Sequence, residues 1–173
     1  PFIDENTLFI AVSQSGETLD TLAALREAKN KGARILSVVN VVGSSVARES
    51  HDVFYTWAGP EIAVASTKAF TTQIIALYMI ALHMAKTTEK ISMDDYNKMI
   101  KEMKVLPEKI QKILDNVHFI QELSDKNFNN ESIFFMGRGI DWDISQEASL
   151  KLKEISYINS FAIAAGELKH GTI

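Results

Sequence analysis

Three hydroxyls, one amide and one glycine fall within six residues at Ser13-Gln14-Ser15-Gly16-Glu17-Thr18. That grouping suits an anion, and a phosphate in particular. Ser13, Ser15 and Thr18 supply hydroxyl donors, and Gly16 lets the backbone come close to a ligand. A second group is Glu147, Lys151 and Glu154. Steps of four and three put them on one helix face. A carboxylate beside an ammonium in a partly dry site is what proton transfer needs. His170, next to Gly171, is the natural acid–base group near neutral pH. Ser66, in Ala65-Ser66-Thr67-Lys68, is a helix cap or a further donor to the same ligand.

Each group has a plainer reading. A single hydroxyl, Ser15 or Thr18, would suffice to cap a helix, with Glu17 favouring its N-terminus. Three hydroxyls plus Gln14 exceed that need. The acidic–basic triad has the spacing of a solvated charge ladder. Its apolar neighbours Leu150, Leu152, Ile155, Tyr157 and Ile158 point instead to a largely buried helix. A lone loop histidine is more often structural or exposed than catalytic. His51 and His118 have weaker claims, and His83 is expected in the core. The four histidines show no HxxxH or HxH spacing, so no metal is expected.

The elements that position these groups follow from pattern. Residues 8–13 read as a buried strand, 18–31 as a helix stopped by Gly32, and 34–39 as a second strand. A turn at 40–44, a short helix at 45–49, a third strand at 52–56 and a long helix at 67–86 follow. Strands alternating with helices, without hairpin turns, predict a parallel α/β sheet. Ligands bind such sheets beyond the carboxyl ends of the strands. The Ser13–Thr18 turn lies there, at a helix start with free N–H groups and the positive end of the macrodipole.

Residues 87–130 change texture and read as a helical connector. Ser92 caps a helix running to Val105, and Pro107 opens another with Ile110, Ile113, Leu114, Val117, Ile120 and Leu123 on one face. Met93, Met99 and Met103 are packing residues. A strand at 132–136, the turn Gly137-Arg138-Gly139, a helix at 142–157 and a strand at 159–163 repeat the opening order, so a duplicated α/β module is expected. The glycine pair is half of a dinucleotide fingerprint, but Trp142 stands at the third glycine position and excludes that use.

The 173 residues allow one domain or two small ones. Apolar residues at 46% allow a sizeable core, and the charged fraction of 23% is ordinary. A net charge of −4 and the lack of a basic stretch leave no electrostatic case for nucleic acid. The absence of cysteine removes disulfides, thiolate metal sites and a cysteine nucleophile, and fits a cytoplasmic protein. Ile74–Ala85, interrupted by His83, is too short to span a bilayer and is expected to be a buried helix. The opening Pro1-Phe2-Ile3 and the closing Gly171-Thr172-Ile173 suggest a piece of a longer chain.

Four stretches in order carry a resemblance: Ser-Gln-Ser-Gly-Glu-Thr (13–18), Val-Ala-Ser-Thr-Lys-Ala-Phe-Thr-Thr-Gln (64–73), Leu-Lys-Leu-Lys-Glu-Ile-Ser-Tyr-Ile (150–158) and Ala-Ala-Gly-Glu-Leu-Lys-His-Gly (164–171). Together they resemble the isomerase region of the glucosamine-6-phosphate synthase family, also called glutamine–fructose-6-phosphate aminotransferase (isomerising). The first stretch alone would indicate only the wider sugar isomerase (SIS) superfamily. The resemblance covers nearly the whole chain and implies duplicated SIS domains, each a three-layer parallel α/β sandwich of flavodoxin-like topology. The expected layout is a first SIS domain at 1–86, the connector at 87–130 and the start of a second SIS domain at 131–173. The implied reaction converts fructose 6-phosphate and ammonia to glucosamine 6-phosphate, with ammonia drawn from glutamine by a separate glutaminase domain and no cofactor. The implied assembly is a homodimer.

By that resemblance Ser13, Gln14, Ser15 and Thr18 hold the sugar phosphate, and the Val64 backbone and Ser66 contact the sugar. Glu154 moves a proton from C1 to C2 of the imine intermediate. Lys151 sets its charge beside the sugar, and His170 assists ring opening from the neighbouring subunit. The family's first strand unit would precede Pro1, and its glutaminase domain and Schiff-base lysine lie outside these residues. Thr172 stands where the family more often has proline. A rival expectation is a non-catalytic SIS module that binds a phosphosugar as a regulatory signal; it would need the phosphate turn but not Lys151, Glu154 and His170.

Overall fold

A computed structural model describes residues 2–171, and Thr172, with its departure from the family, lies outside them. The chain forms two compact units, Pro1–Tyr96 and Asn97–Ile173.

The first unit is built on three parallel strands, β1 (Leu8–Ser13), β2 (Arg34–Val39) and β3 (Asp52–Tyr55), in that order. Ser13 pairs with Val39 and Val39 with Tyr55, so the three carboxyl ends are flush. The loops that leave them therefore share one rim. Alternate residues of a strand face opposite ways. Ile35 and Val39 are fully buried among Leu22, Leu25 and Ala28 of α1 (Leu19–Asn30) and Val46 and Ala47 of α2 (Ser45–Glu49). Val38, of opposite parity, is also fully buried, and α3 (Lys68–Thr87) contacts β2. Ala69 and Ala76 are the buried residues of α3; small side chains there allow a close approach.

Two expectations about α3 are corrected. The helix outruns the apolar stretch Ile74–Ala85, reaching 20 residues, and is long and apolar enough to cross a membrane by length and composition. It is not a buried helix either: 11% of its most apolar window is covered, and Leu77, Tyr78, Met79, His83 and Met84 are exposed. His83 is thus no core residue. Only one edge of α3 meets the sheet, so apolar character on its other faces finds no cover within the described residues.

Three helices follow: α4 (Met93–Lys104), α5 (Leu106–Leu114) and α6 (His118–Asn127). Ser92 caps α4 as expected, its Oγ accepting the Asp95 N–H at 3.0 Å and donating to Asp95 Oδ2 at 2.7 Å. The single helix expected after Pro107 is instead two. At the break the Asn116 side chain donates to the Lys112 carbonyl at 2.7 Å, the acceptor its own N–H would use in the ladder, and that N–H turns to the Ile113 carbonyl at 3.1 Å. Such side chains compete with the helical ladder. No residue of α4, α5 or α6 is buried.

Next, β4 (Ser132–Gly137) and β5 (Asn159–Ala164) pair in parallel across α7 (Ile140–Ser156). Gly137 makes this possible. A Cβ there would lie 2.1 Å from the Asp141 carbonyl carbon and 2.3 Å from the Trp142 nitrogen, so the first turn of α7 lands directly on the strand end. Farther along, buried Ser149 and Ser160 bring helix and strand together, their hydroxyls 3.0 Å apart, with Ser160 Oγ also donating to the Ser149 carbonyl at 2.7 Å. The expectation that α7 is largely buried fails: Ile144, Leu150 and Ile155 are exposed and Tyr157 is 92% exposed. Two strands can cover only one face of a helix.

Candidate functional site

The Ser13–Thr18 turn leaves the carboxyl end of β1. Ser13 Oγ accepts the Gly16 N–H at 3.0 Å and lies 3.3 Å from Thr18 Oγ1, while Ser15 Oγ accepts the Glu17 N–H at 3.2 Å. Thr18 occupies the N-cap position of α1 but its side chain makes no cap bond. Simple capping therefore does not account for these hydroxyls. The N–H groups of Leu19, Asp20 and Thr21 have no hydrogen-bond partner among the described residues. Unpaired donors at a helix start, ringed by hydroxyls, can receive an anion.

Gly16 is required twice. Its φ of +66° favours glycine, and a Cβ would fall 2.1 Å from Ser44 Oγ. Val46 donates its N–H to the Gly16 carbonyl at 2.9 Å, and Ser45 its N–H to Glu17 Oε1 at 2.8 Å. Hydrogen bonding from Ser45, with the Arg48 charge adding, holds the Glu17 carboxyl below the usual glutamate value.

Asn40, just past β2, ties the rim together. It donates its N–H to the Gln14 carbonyl at 3.1 Å and its side-chain amide to the Gly59 carbonyl at 2.8 Å. Its Oδ1 accepts from Thr56 Oγ1 at 3.0 Å and from the Ala58 N–H at 2.8 Å. An open cleft of about 410 Å³ lies here, lined by Gln14, Asn40, Val41, Trp57, Gly59, Pro60 and Glu61. Glu61 caps α3 from a distance: it accepts the Thr67 N–H at 2.8 Å and the hydroxyls of Thr67 at 3.0 Å and Ser66 at 3.2 Å. The Thr67 backbone bond is the largest cause of its lowered carboxyl pKa. Ser66 is therefore not the cap, which corrects one of its two readings. Val64 is 89% exposed.

In the second unit Lys151 Nζ lies 2.7 Å from Glu154 Oε2 and 3.2 Å from Glu147 Oε1. The three side chains are 20–26% exposed, so this is not a solvated ladder. Glu154 Oε2 is fully covered, and its close polar neighbour is the Lys151 ammonium. The bond to Glu154 raises the Lys151 pKa, burial opposes it and Glu147 adds to the rise. His170 is exposed, in the turn after Ala165–Glu167. Among the described residues no side-chain hydrogen bond or ion pair joins it to the triad.

The family model of the SIS domain matches residues 1–83. Residues 1–83 form a SIS domain. The whole chain is 56% identical over 173 residues to glutamine–fructose-6-phosphate aminotransferase (isomerizing) of Caldanaerobacter subterraneus subsp. tengcongensis, and 54% identical to that of Clostridium tetani. It spans 28% of the length of each. A solved structure, the C-terminal domain of glucosamine-fructose-6-phosphate aminotransferase from Francisella tularensis, superposes with a TM-score of 0.94 at 42% identity, over 98% of this chain and 48% of that one. The SIS domain thus holds Ser13, Gln14, Ser15, Thr18, Val64 and Ser66, whereas Glu147, Lys151, Glu154 and His170 belong to the second unit. Reading the sequence missed Asn40, Ser44 and Glu61 as rim residues of the SIS domain. The available signal was a polar residue immediately beyond a strand end, which marks Asn40 after Val39.

Proposed function

We propose that this chain is the phosphosugar-binding isomerase region of a glutamine–fructose-6-phosphate aminotransferase. The observation that carries the reading is the Ser13–Thr18 turn, with its unpaired α1 N–H groups and three hydroxyls. Ser13, Gln14, Ser15 and Thr18 bind the phosphate, and the Val64 backbone and Ser66 contact the sugar. Glu154 transfers a proton between C1 and C2 of the imine formed from fructose 6-phosphate and ammonia. Lys151, kept charged by its two carboxylates, faces the negative charge that develops in the enolamine-like intermediate. His170 assists ring opening. In the whole enzyme a glutaminase domain supplies ammonia, and the working form is a dimer. The modules at 1–86 and 131–173 are two SIS copies, with 87–130 as their connector. A regulatory phosphosugar module would use the turn alone; the half-buried Lys151, set between two carboxylates, favours the enzyme.

Titration calorimetry with fructose 6-phosphate tests the site. Ser15→Ala combined with Thr18→Ala is expected to weaken binding, each lost hydrogen bond to a charged group costing about 1.5–3 kcal/mol, with an unchanged far-UV spectrum. Equal affinity in parent and variant would remove the phosphate site.

A further inference from the structure

We propose that Glu17 is a positioning residue, one that clamps the Ser13–Thr18 turn to the first turn of α2 and so fixes the donors that receive a phosphate. The proposal rests on the phosphate reading above. A carboxylate next to an anion site is at first sight a defect, because like charges repel. The structure turns it away from that task. Glu17 Oε1 takes the Ser45 N–H at 2.8 Å, the adjacent Gly16 carbonyl takes the Val46 N–H at 2.9 Å, and Ser44 packs so closely on Gly16 that no Cβ would fit. Three consecutive residues, Ser44, Ser45 and Val46, thus grip two consecutive residues of the turn.

The opposite side of this grip is itself fastened. Arg48 bonds the Gly43 carbonyl and donates to Ser45 Oγ at 3.0 Å. Val46 is fully buried in the core. Because α2 is anchored, the clamp can hold Gly16 at its left-handed φ and aim the hydroxyls of Ser13 and Ser15. The carboxylate's charge is meanwhile met by hydrogen bonding from Ser45 and by the Arg48 charge, so its repulsion of a bound phosphate is blunted. Asp20 supplies the contrast. It lies in the first turn of α1, and among the described residues its side chain makes no hydrogen bond or ion pair.

The two acids should respond oppositely to neutralisation. In the full chain, Glu17→Ala is expected to weaken fructose 6-phosphate binding about tenfold, the equivalent of one charge-assisted hydrogen bond. Glu17→Gln, whose amide oxygen still accepts from Ser45, should fall between. Asp20→Asn, which removes the same charge without touching the clamp, should bind equally or more tightly. Glu17→Ala binding as tightly as the parent would overturn the proposal, because charge removal alone would then explain everything. A second readout does not depend on the ligand. The Ser45 amide proton should shift as the Glu17 carboxyl titrates, with a midpoint below the usual glutamate value of 4.5, and the shift should vanish in Glu17→Ala. A parent that fails to bind fructose 6-phosphate would sink the phosphate reading; the clamp would then stand or fall on Ser45, and a Ser45 proton indifferent to pH would overturn it.

Discussion

Lys151 sits between two carboxylates on one helix face, and the arrangement fixes a direction for its titration. Its pKa is raised above the usual lysine value of 10.5, chiefly by the Glu154 bond. The folded value exceeds the unfolded one, so the stabilisation from the pair is complete below the unfolded value and is lost as pH rises through the folded one. At neutral pH Lys151 is charged, and alkali weakens the pair by discharging it; the pair is worth about 1 kcal/mol or less given its partial exposure. Glu154→Gln should lower the Lys151 titration midpoint towards the usual value, with Glu147 keeping part of the rise; NMR of the Lys151 side chain checks this. In a complete enzyme carrying these residues, the same substitution should slow exchange of the C1 hydrogen with solvent by about 10²–10⁴-fold, the usual cost of losing a general base, while sugar-phosphate binding persists. Exchange at the parent rate would pass the role of base to another group, with His170 next.

At the scale of elements, Gly137 decides whether α7 can dock. Its hypothetical Cβ would meet backbone atoms of Asp141 and Trp142, and backbone cannot rotate away as a side chain could. Gly137→Ala should therefore displace the first turn of α7, at an overpacking cost of about 1–3 kcal/mol or more. Trp142 lies in that turn and the other tryptophan, Trp57, lies in the SIS domain, so Trp142 fluorescence in a Trp57→Phe background isolates the effect. A denaturation midpoint matching the parent's would show that the helix does not rest on this contact. The elements themselves were largely legible. β1, β2 and α2 fall where continuous apolar runs and turn residues put them, because such a run is visible without its partners. β1 is not the buried strand expected, however, since Phe9 and Ala11 meet the core while Leu8, Ile10 and Val12 are 37–40% exposed. The break between α5 and α6 was not legible: Ile113, Val117 and Ile120 keep helical spacing through it, and the departure from the ladder is the local bonding of Asn116. The phosphate turn was legible for the same reason as the strands, since its residues are contiguous. The Asn40 and Glu61 contacts were not: Asn40 reaches across 16 to 19 residues, Glu61 serves the next helix across a loop, and both look like ordinary surface polars. Burial of α7 was misjudged because an apolar face says nothing about whether the same chain covers it.

At the scale of the molecule, the two units hold very different cores. The SIS domain buries Leu22, Leu25, Ile35, Val38, Val39 and Val46 to 5% exposure or less. Among the described residues of the second unit the buried side chains are Ser145, Ser149 and Ser160, and Phe134 and Phe161, stacked at 5.8 Å, each remain 45% exposed. Burying a large apolar side chain contributes about 1.5–3 kcal/mol, and a pair of strands with one helix has little beyond its serine contacts to offset the entropy of ordering it. Amides of β1 and β2 should then exchange only through global opening of the SIS domain, whereas those of β4 and β5 open locally. Hydrogen–deuterium exchange of the full chain, read by NMR or by mass spectrometry of peptides 8–39 and 132–164, should show protection at least about 10³-fold stronger in the first peptide, as expected for an opening free-energy gap of about 4 kcal/mol. Adding fructose 6-phosphate should raise protection around Ser13–Thr18 first, since a ligand stabilises the state that binds it. Equal protection of the two peptides in the free chain would mean that apolar burial is not what sets stability here, and that the serine contacts of α7 with β5 hold the second unit as firmly as an aliphatic core holds the first.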